Sequence, residues 1–263
     1  MIRVDNLKKT FKAFEAVKGV SFHVSPGEIF AFLGPNGAGK TTTIKMLTTI
    51  LTPSSGSVQL DGLDPVHHKM AARKKFGIVF QDSSLDSEQT AYENMEMHGV
   101  LYHMPKKLRA ERIERMLTTF ELWDRRKESV KKFSGGMKRR LEIARGLMHS
   151  PKILFLDEPT LGLDPQSRNQ LWTHVKHLNE TENTTIFLTT HYMDEADRVA
   201  HRIGIMDHGE LIAQGTSAEL KEQTGTSSLE DAFLALTGTS LRDEDASSTD
   251  QLRELNRSQE SSR

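Results

Sequence analysis

At 263 residues, 36% hydrophobic and 27% charged, the chain can form one large domain or two small lobes around a sizeable buried core. Its 35 Lys and Arg nearly cancel its 36 Asp and Glu, for a formal net charge of -1, so whole-chain electrostatics gives no argument for nucleic acid and no such partner is expected. The absence of cysteine excludes a disulfide scaffold, a thiolate metal site and a cysteine nucleophile.

In chain order, Ile2 to Leu7 alternates like a strand, and the segment from Met1 to Asn6 lacks the apolar core of a secretory signal. Val20 to Val24 and Val58 to Leu60 read as further short strands, with Ser54, Ser55, Gly56 and the pair Asp61-Gly62 supplying turns, and the three strands could form a small antiparallel sheet. Short apolar runs at Ile29 to Leu33, Phe76 to Phe80, Ile153 to Leu156, Thr185 to Thr190 and Arg202 to Met206 are separated by helix-compatible stretches. That is the pattern of a mostly parallel α/β sheet. The run from Ile29 to Leu33 is five residues long, far below the roughly 20 that span a bilayer, so no transmembrane helix and a cytosolic location are expected.

Between about 82 and 150 the strand signal fades, and Ile113, Met116, Leu117 and Phe120 share one helical face, which predicts an all-helical insertion. Residues 105–140 hold thirteen Lys or Arg against five Asp or Glu, a local +8 read mostly as a solvated surface. Asp164-Pro165 predicts an N-cap with a first-turn proline, and Thr216 with Glu219 a capping box. The helix-spaced pair His174 and His177, with no third ligand nearby, is read as surface. From Thr239 to Arg263 apolar residues are too sparse to offset ordering, and a disordered tail is expected.

Directly after the strand from Ile29 to Leu33 comes Gly34-Pro35-Asn36-Gly37-Ala38-Gly39-Lys40-Thr41, which fits GxxxxGK[ST] and leads into a helix-compatible run. Glycines let successive N–H groups converge on one anion, and the helix N-terminus adds partial positive charge. Lys40 would reach the β- and γ-phosphates and the Thr41 hydroxyl would ligate magnesium. The strand ending at Leu156 runs into Asp157 and Glu158, at the carboxyl edge where α/β ligands bind. Alone this reads as a turn; beside a phosphate loop, Asp157 becomes a magnesium candidate and Glu158 a candidate base for the attacking water.

A third segment separates the phosphate-loop families: Phe133-Ser134-Gly135-Gly136-Met137-Lys138-Arg139-Arg140-Leu141, followed twelve residues later by the strand that ends in Asp157. With Gln81 and His191 it resembles the ATP-binding cassette (ABC) ATPases over about residues 1–238, with residues 239–263 left as a polar tail. The resemblance implies a phosphate-loop, RecA-like α/β core with a mostly parallel sheet, an antiparallel β subdomain and an α-helical insertion. It implies ATP and Mg2+ as ligands, Phe11 stacking on adenine, and Gly34 through Thr42 around the phosphates. It likens Gln81 to the glutamine that touches magnesium or attacking water and links the site to the helical lobe. Asp157 resembles the magnesium aspartate, Glu158 the catalytic glutamate and His191 the histidine on the γ-phosphate. Ser134, Gly135 and Gly136 resemble the signature that binds the γ-phosphate held by a second subunit, and Leu161-Gly162-Leu163-Asp164 the D-loop that crosses the dimer interface. Phe133 and Met137 stand where the commonest signature has Leu and Gln, and Phe11 where Tyr is commoner.

The signature run and Ser228 to Gly238 resemble the drug and polysaccharide exporter branch, such as daunorubicin-resistance-like exporters. That implies an ATP-driven homodimer docked, near Gln81 and the helical lobe, on separate integral membrane permease subunits that bind the transported substrate in its place. An importer ATPase is the near alternative, and a soluble ABC ATPase serving cofactor assembly or another non-transport task is the alternative of a different class.

Overall fold

The computed structural model describes residues 1–238; the expected disordered tail from Thr239 lies outside the described residues. β1 (Ile2–Phe11) and β2 (Phe14–Val24) form an antiparallel hairpin. β3 (Ile29–Leu33) follows and runs through the phosphate loop into α1 (Lys40–Leu47). β4 (Ser55–Leu60) returns to the free edge of β1, giving a three-stranded sheet of order β2-β1-β4. After α2 (Lys69–Arg73) comes β5 (Phe76–Val79). The helical insertion then supplies α3 (Ala91–Leu101), α4 (Lys106–Thr119), two short 3₁₀ turns and α5 (Gly135–Gly146). The chain continues with β6 (Ile153–Asp157), α6 (Pro165–Glu182), β7 (Thr185–Thr190), α7 (Met193–Val199), β8 (Arg202–Asp207), β9 (Glu210–Gly215), α8 (Ser217–Thr224) and α9 (Leu229–Thr237).

The larger sheet has the order β5-β6-β7-β3-β8-β9, parallel except for β9. Its central strands are apolar on both faces because each face meets a different core. Phe30, Phe32 and Phe187 point toward the small sheet and pack with Phe22, whose ring centroid lies 4.9 Å from that of Phe32, and Phe155 extends the same layer against Phe187. Ala31, Leu33, Leu154, Leu156, Ile186 and Leu188 point the other way, onto Leu171, Trp172, Val175 and Leu178 of α6 and Leu141 and Ile143 of α5. At roughly 1.5–3 kcal/mol per buried large apolar side chain, these two layers fix the strand register that positions the loops at the sheet's carboxyl edge.

The helix caps follow the sequence: Asp164 accepts from the Ser167 amide at 3.0 Å, and Thr216 and Glu219 form the reciprocal box. Ile113, Met116, Leu117 and Phe120 are buried together. Three expectations need correction. β1 and β2 each extend several residues beyond their apolar runs, because Lys8, Lys9 and Thr10 pair with Lys18, Val17 and Glu15 although alternation has stopped. β9 had not been anticipated; only alternate residues of this edge strand are half-buried, and it turns back at His208-Gly209. His177 is exposed as expected, but His174 is half-buried, 5.3 Å from the Phe120 ring.

Candidate nucleotide site

The phosphate loop is shaped by backbone contacts that a side chain would break. Gly39 has φ +100°, and a Cβ there would sit 2.6 Å from the Ala16 carbonyl of β2. The Ala38 carbonyl accepts from the Gly209 amide at 3.1 Å, so the β8–β9 turn braces the loop from outside. Among the described residues no carbonyl accepts from the amides of Gly37, Gly39, Lys40 or Thr41, leaving a row of donors at the start of α1. Gly34 and Ala38 are buried, Pro35 and Thr42 half-buried, and Asn36 and Gly37 face solvent.

Lys40 is 6% exposed, and its Nζ donates to the Gly34 carbonyl at 2.6 Å and the Pro35 carbonyl at 3.2 Å and lies 3.4 Å from Glu158 Oε1. Burial pulls its pKa below the usual lysine value, against the opposing pull of Glu158 and Asp157. Asp157 Oδ1 accepts from Thr189 Oγ1 at 2.6 Å and from Thr41 Oγ1 at 3.1 Å. Burial raises this carboxyl's pKa, and the two hydroxyls limit the rise.

Glu158 is buried and holds a left-handed backbone, φ +47°, uncommon for a residue with a side chain. Its amide donates to both the carbonyl and the hydroxyl of Thr189 at 3.1 Å, which fixes the turn after β6. His191 Nδ1, just beyond β7, lies 2.9 Å from Oε2. Burial by itself would raise the Glu158 pKa, but the His191 contact and the Lys40 charge outweigh it and hold the carboxyl below its ordinary value. One oxygen thus faces Lys40 and the other His191.

Lys40, Thr41, Asp157, Glu158 and His191 therefore meet in one place. The row of amide donors and one ammonium suits a polyphosphate, and the Thr41 hydroxyl beside the Asp157 carboxylate is an all-oxygen donor set suited to a hard dication. Gln81 is exposed just beyond β5. Phe11 is exposed at the end of β1, with Lys9 Nζ 5.1 Å from its ring centroid. Ser134 and Gly135 are exposed, and the Ser134 hydroxyl caps α5 by accepting from the Met137 amide at 3.2 Å. Gly136 is buried where a Cβ would lie 2.5 Å from Ser167 Oγ, so the start of α5 packs on the start of α6. Among the described residues no hydrogen bond or ion pair joins the signature turn or Asp164 to the phosphate loop.

Two contributors escaped the sequence reading. Thr189 is the hydrogen-bond partner of both acidic residues, and only its place beside Asp157 in the β6–β7 register reveals it. Arg168 donates to the Leu163 carbonyl at 2.9 Å and to the Tyr192 hydroxyl at 3.2 Å, with its guanidinium 4.2 Å from the tyrosine ring centroid. It ties the segment before Asp164 to the residue after His191.

Residues 17–161 match the family described as ABC transporter. Among similar proteins, a daunorubicin resistance ATP-binding protein of Streptomyces coeruleorubidus is 41% identical over 224 residues, covering 85% of this chain and 71% of the relative. A linearmycin resistance ATP-binding protein of Bacillus subtilis is 43% identical over 225 residues (86% and 72%), and a Nod factor export ATP-binding protein of Paraburkholderia xenovorans 41% over 219 residues (83% and 72%). A solved ATP-binding subunit of an ABC transporter superposes with a TM-score of 0.81 at 28% identity, covering 90% of this chain and 99% of that one. A dimeric ATP-binding cassette in a post-hydrolysis state, bound to ADP and Pi, gives 0.74 at 28% identity (82% and 98%). The chain belongs to the ABC transporter family, as an ATP-binding and ATP-hydrolysing subunit with the phosphate-loop α/β fold.

Proposed function

We propose that this subunit drives export across a membrane, with Glu158 as the base that activates the attacking water. The observation that carries the base assignment is the single carboxylate with Lys40 on one oxygen and His191 on the other. As ATP enters, Lys40 exchanges the Gly34 and Pro35 carbonyls and Glu158 for phosphate oxygens, and the amides from Gly37 to Thr41 receive the same anion. Glu158 Oε1 is then released to accept a proton from water. The water oxygen bonds to the γ-phosphorus, the bond from that phosphorus to the bridging oxygen breaks, and ADP and phosphate form. Thr41 and Asp157 hold Mg2+, which offsets phosphate charge when bound. His191 orients Glu158 and the γ-phosphate, and Gln81 reaches metal or water. Phe11 offers its exposed face to adenine. Ser134, Gly135 and Gly136 complete the site of a second copy across a homodimer, with Asp164 at the junction.

The export assignment draws on relatives named for daunorubicin resistance, linearmycin resistance and Nod factor export. No helix among the described residues is long and apolar enough to cross a membrane. In this reading integral membrane permease subunits form the transport path, with this chain on their cytoplasmic side. Met97, Val100 and Leu101 form an exposed i, i+3, i+4 face on α3, a fitting seat for an apolar segment of such a subunit. The transported substrate is then bound by the membrane subunits.

Glu158→Gln should retain ATP binding and lose hydrolysis by ~10²- to 10⁴-fold, the usual contribution of a positioned base. Turnover near wild type at saturating ATP would remove Glu158 from this role. For the export assignment, the chain should sediment with membranes and co-purify with an integral membrane protein; recovery in the soluble fraction without one would end it.

A further inference from the structure

We propose that Arg139 is a positioning residue that couples the Gln81 loop to the turn carrying Glu158, an inference that rests on the roles given above to those two residues. Arg139 lies on the first turns of α5, 6% exposed, in a stretch whose basic residues read from sequence as a solvated surface. All five of its N–H donors have an acceptor. Nε donates to the Pro159 carbonyl at 2.8 Å, and one Nη2 hydrogen to the Glu158 carbonyl at 3.0 Å. The other Nη2 hydrogen reaches toward the Gln81 carbonyl at 3.4 Å, a long contact, while Nη1 donates to the Phe80 carbonyl and to Glu142 Oε2, the latter at 3.0 Å. Glu142 returns to the same loop, accepting from the Ser84 amide with Oε1 at 3.0 Å. Arg145, one turn further along α5, donates to the Ser84 carbonyl at 2.8 Å and to its hydroxyl.

One planar cation therefore bridges the backbone after β5 to the backbone after β6, and both are anchored on the helix that starts at the signature serine. The Glu158 end of this bridge needs an external hold. Its left-handed backbone persists only if the surroundings over-determine it: Thr189 accepts from its amide, and its carbonyl accepts from the local Leu161 amide at 3.3 Å and from Arg139, the side chain that ties it to another element. A shift of the Gln81 loop moves the Phe80 and Gln81 carbonyls, hence the guanidinium, hence the carbonyl of Glu158. Arg139 touches neither Lys40 nor the phosphate-loop amides, so its removal should change the placing of the base and leave nucleotide binding alone. Lysine keeps the charge but has three donors on one nitrogen and cannot span both turns.

The test is steady-state ATP hydrolysis and ATP affinity for Arg139→Lys, Gln81→Ala, their combination and Glu158→Gln, with melting temperatures to confirm folding. Arg139→Lys should lower kcat by about 10- to 100-fold, the scale of an ångström-level misplacement of a catalytic group. Its KM and Kd for ATP should stay within about twofold, and its loss with Gln81→Ala should be smaller than the product of the single losses. Wild-type kcat, affinity falling in step with kcat, or losses that multiply would each overturn the proposal. If Arg139→Lys does not fold, Glu142→Gln carries the test: Arg139 and the Ser84 amide donate to different oxygens of Glu142, and the substitution turns one of them into an NH2 group that cannot accept, so kcat should fall at unchanged Kd, and an unchanged kcat would be adverse. Retained turnover in Glu158→Gln would instead defeat the assignment of the base, so the two failures are distinguishable.

Discussion

At the scale of single residues, Lys40 and Glu158 share one ion pair but predict opposite phenotypes. Lys40 has given up bulk water for two carbonyls and a carboxylate, and a polyphosphate offers it more negative charge than these do. Lys40→Ala should therefore weaken ATP binding itself, by roughly 10- to 150-fold if one charged hydrogen bond of ~1.5–3 kcal/mol is lost. Glu158→Gln should leave affinity in place, so calorimetry separates the two; wild-type affinity in Lys40→Ala would exclude the lysine from phosphate binding. Lys40, Thr41, Asp157 and Glu158 were legible in the sequence because each sits in a short run whose spacing implies a strand followed by a turn. Thr189 was not: a threonine in an apolar strand is ordinary, and its partner Asp157 lies 32 residues away, adjacent only through the pairing of β6 with β7. Arg139 was hidden for the opposite reason, being the middle one of three consecutive basic residues, Lys138 to Arg140, that composition alone cannot divide into buried and solvated.

At the scale of elements, the apolar runs announced the buried strands, whereas β9 and the outer halves of β1 and β2 mix charged and polar residues with short apolar stretches such as Ala16-Val17 and Leu211 to Ala213, and are strands because a neighbour pairs with them. The seam between α3 and the residues just after α5 carries a pH dependence that no spacing foretold. His98 of α3 and His149 flank Tyr102, whose ring is 3.9 Å from that of His149, and His149 Nε2 lies 3.0 Å from the Phe76 carbonyl. Burial, aided by the Arg145 charge at His98, lowers the two imidazoles to about 3 for His98 and about 4 for His149. The unfolded chain takes up both protons near pH 6.5, while the folded chain refuses them until far lower. Stability should consequently fall as pH drops from about 6.5 toward about 4, by up to ~1.4 kcal/mol per pH unit for each histidine. Melting temperatures at pH 7 and pH 5 check this: His98→Phe with His149→Phe should shrink the difference, even if the variant melts lower at both, and an undiminished difference would place the acid sensitivity elsewhere.

At the scale of the whole molecule, the phosphate loop belongs to the sheet's carboxyl edge and the signature turn to the helical insertion, and within one chain nothing described bonds the two. Ser134 and Gly135 are exposed where the start of α5 meets the start of α6, a surface that a second copy can meet with the same pieces exchanged. If each site takes Lys40 from one copy and Ser134 from the other, a Lys40→Ala homodimer lacks the lysine in both sites and a Ser134→Arg homodimer blocks the signature in both. Each variant alone should be nearly inactive. A mixed dimer collects both lesions in one site and leaves the other with an intact Lys40 and an intact Ser134. With random exchange and independent sites, half the dimers are mixed with one working site of two, so mixing equal amounts should restore at most about a quarter of wild-type turnover. The measurement is ATPase activity of each variant and of the mixture across a range of protein concentrations. Wild-type hydrolysis by Ser134→Arg alone, at a specific activity independent of concentration, would mean that one chain supplies the entire site.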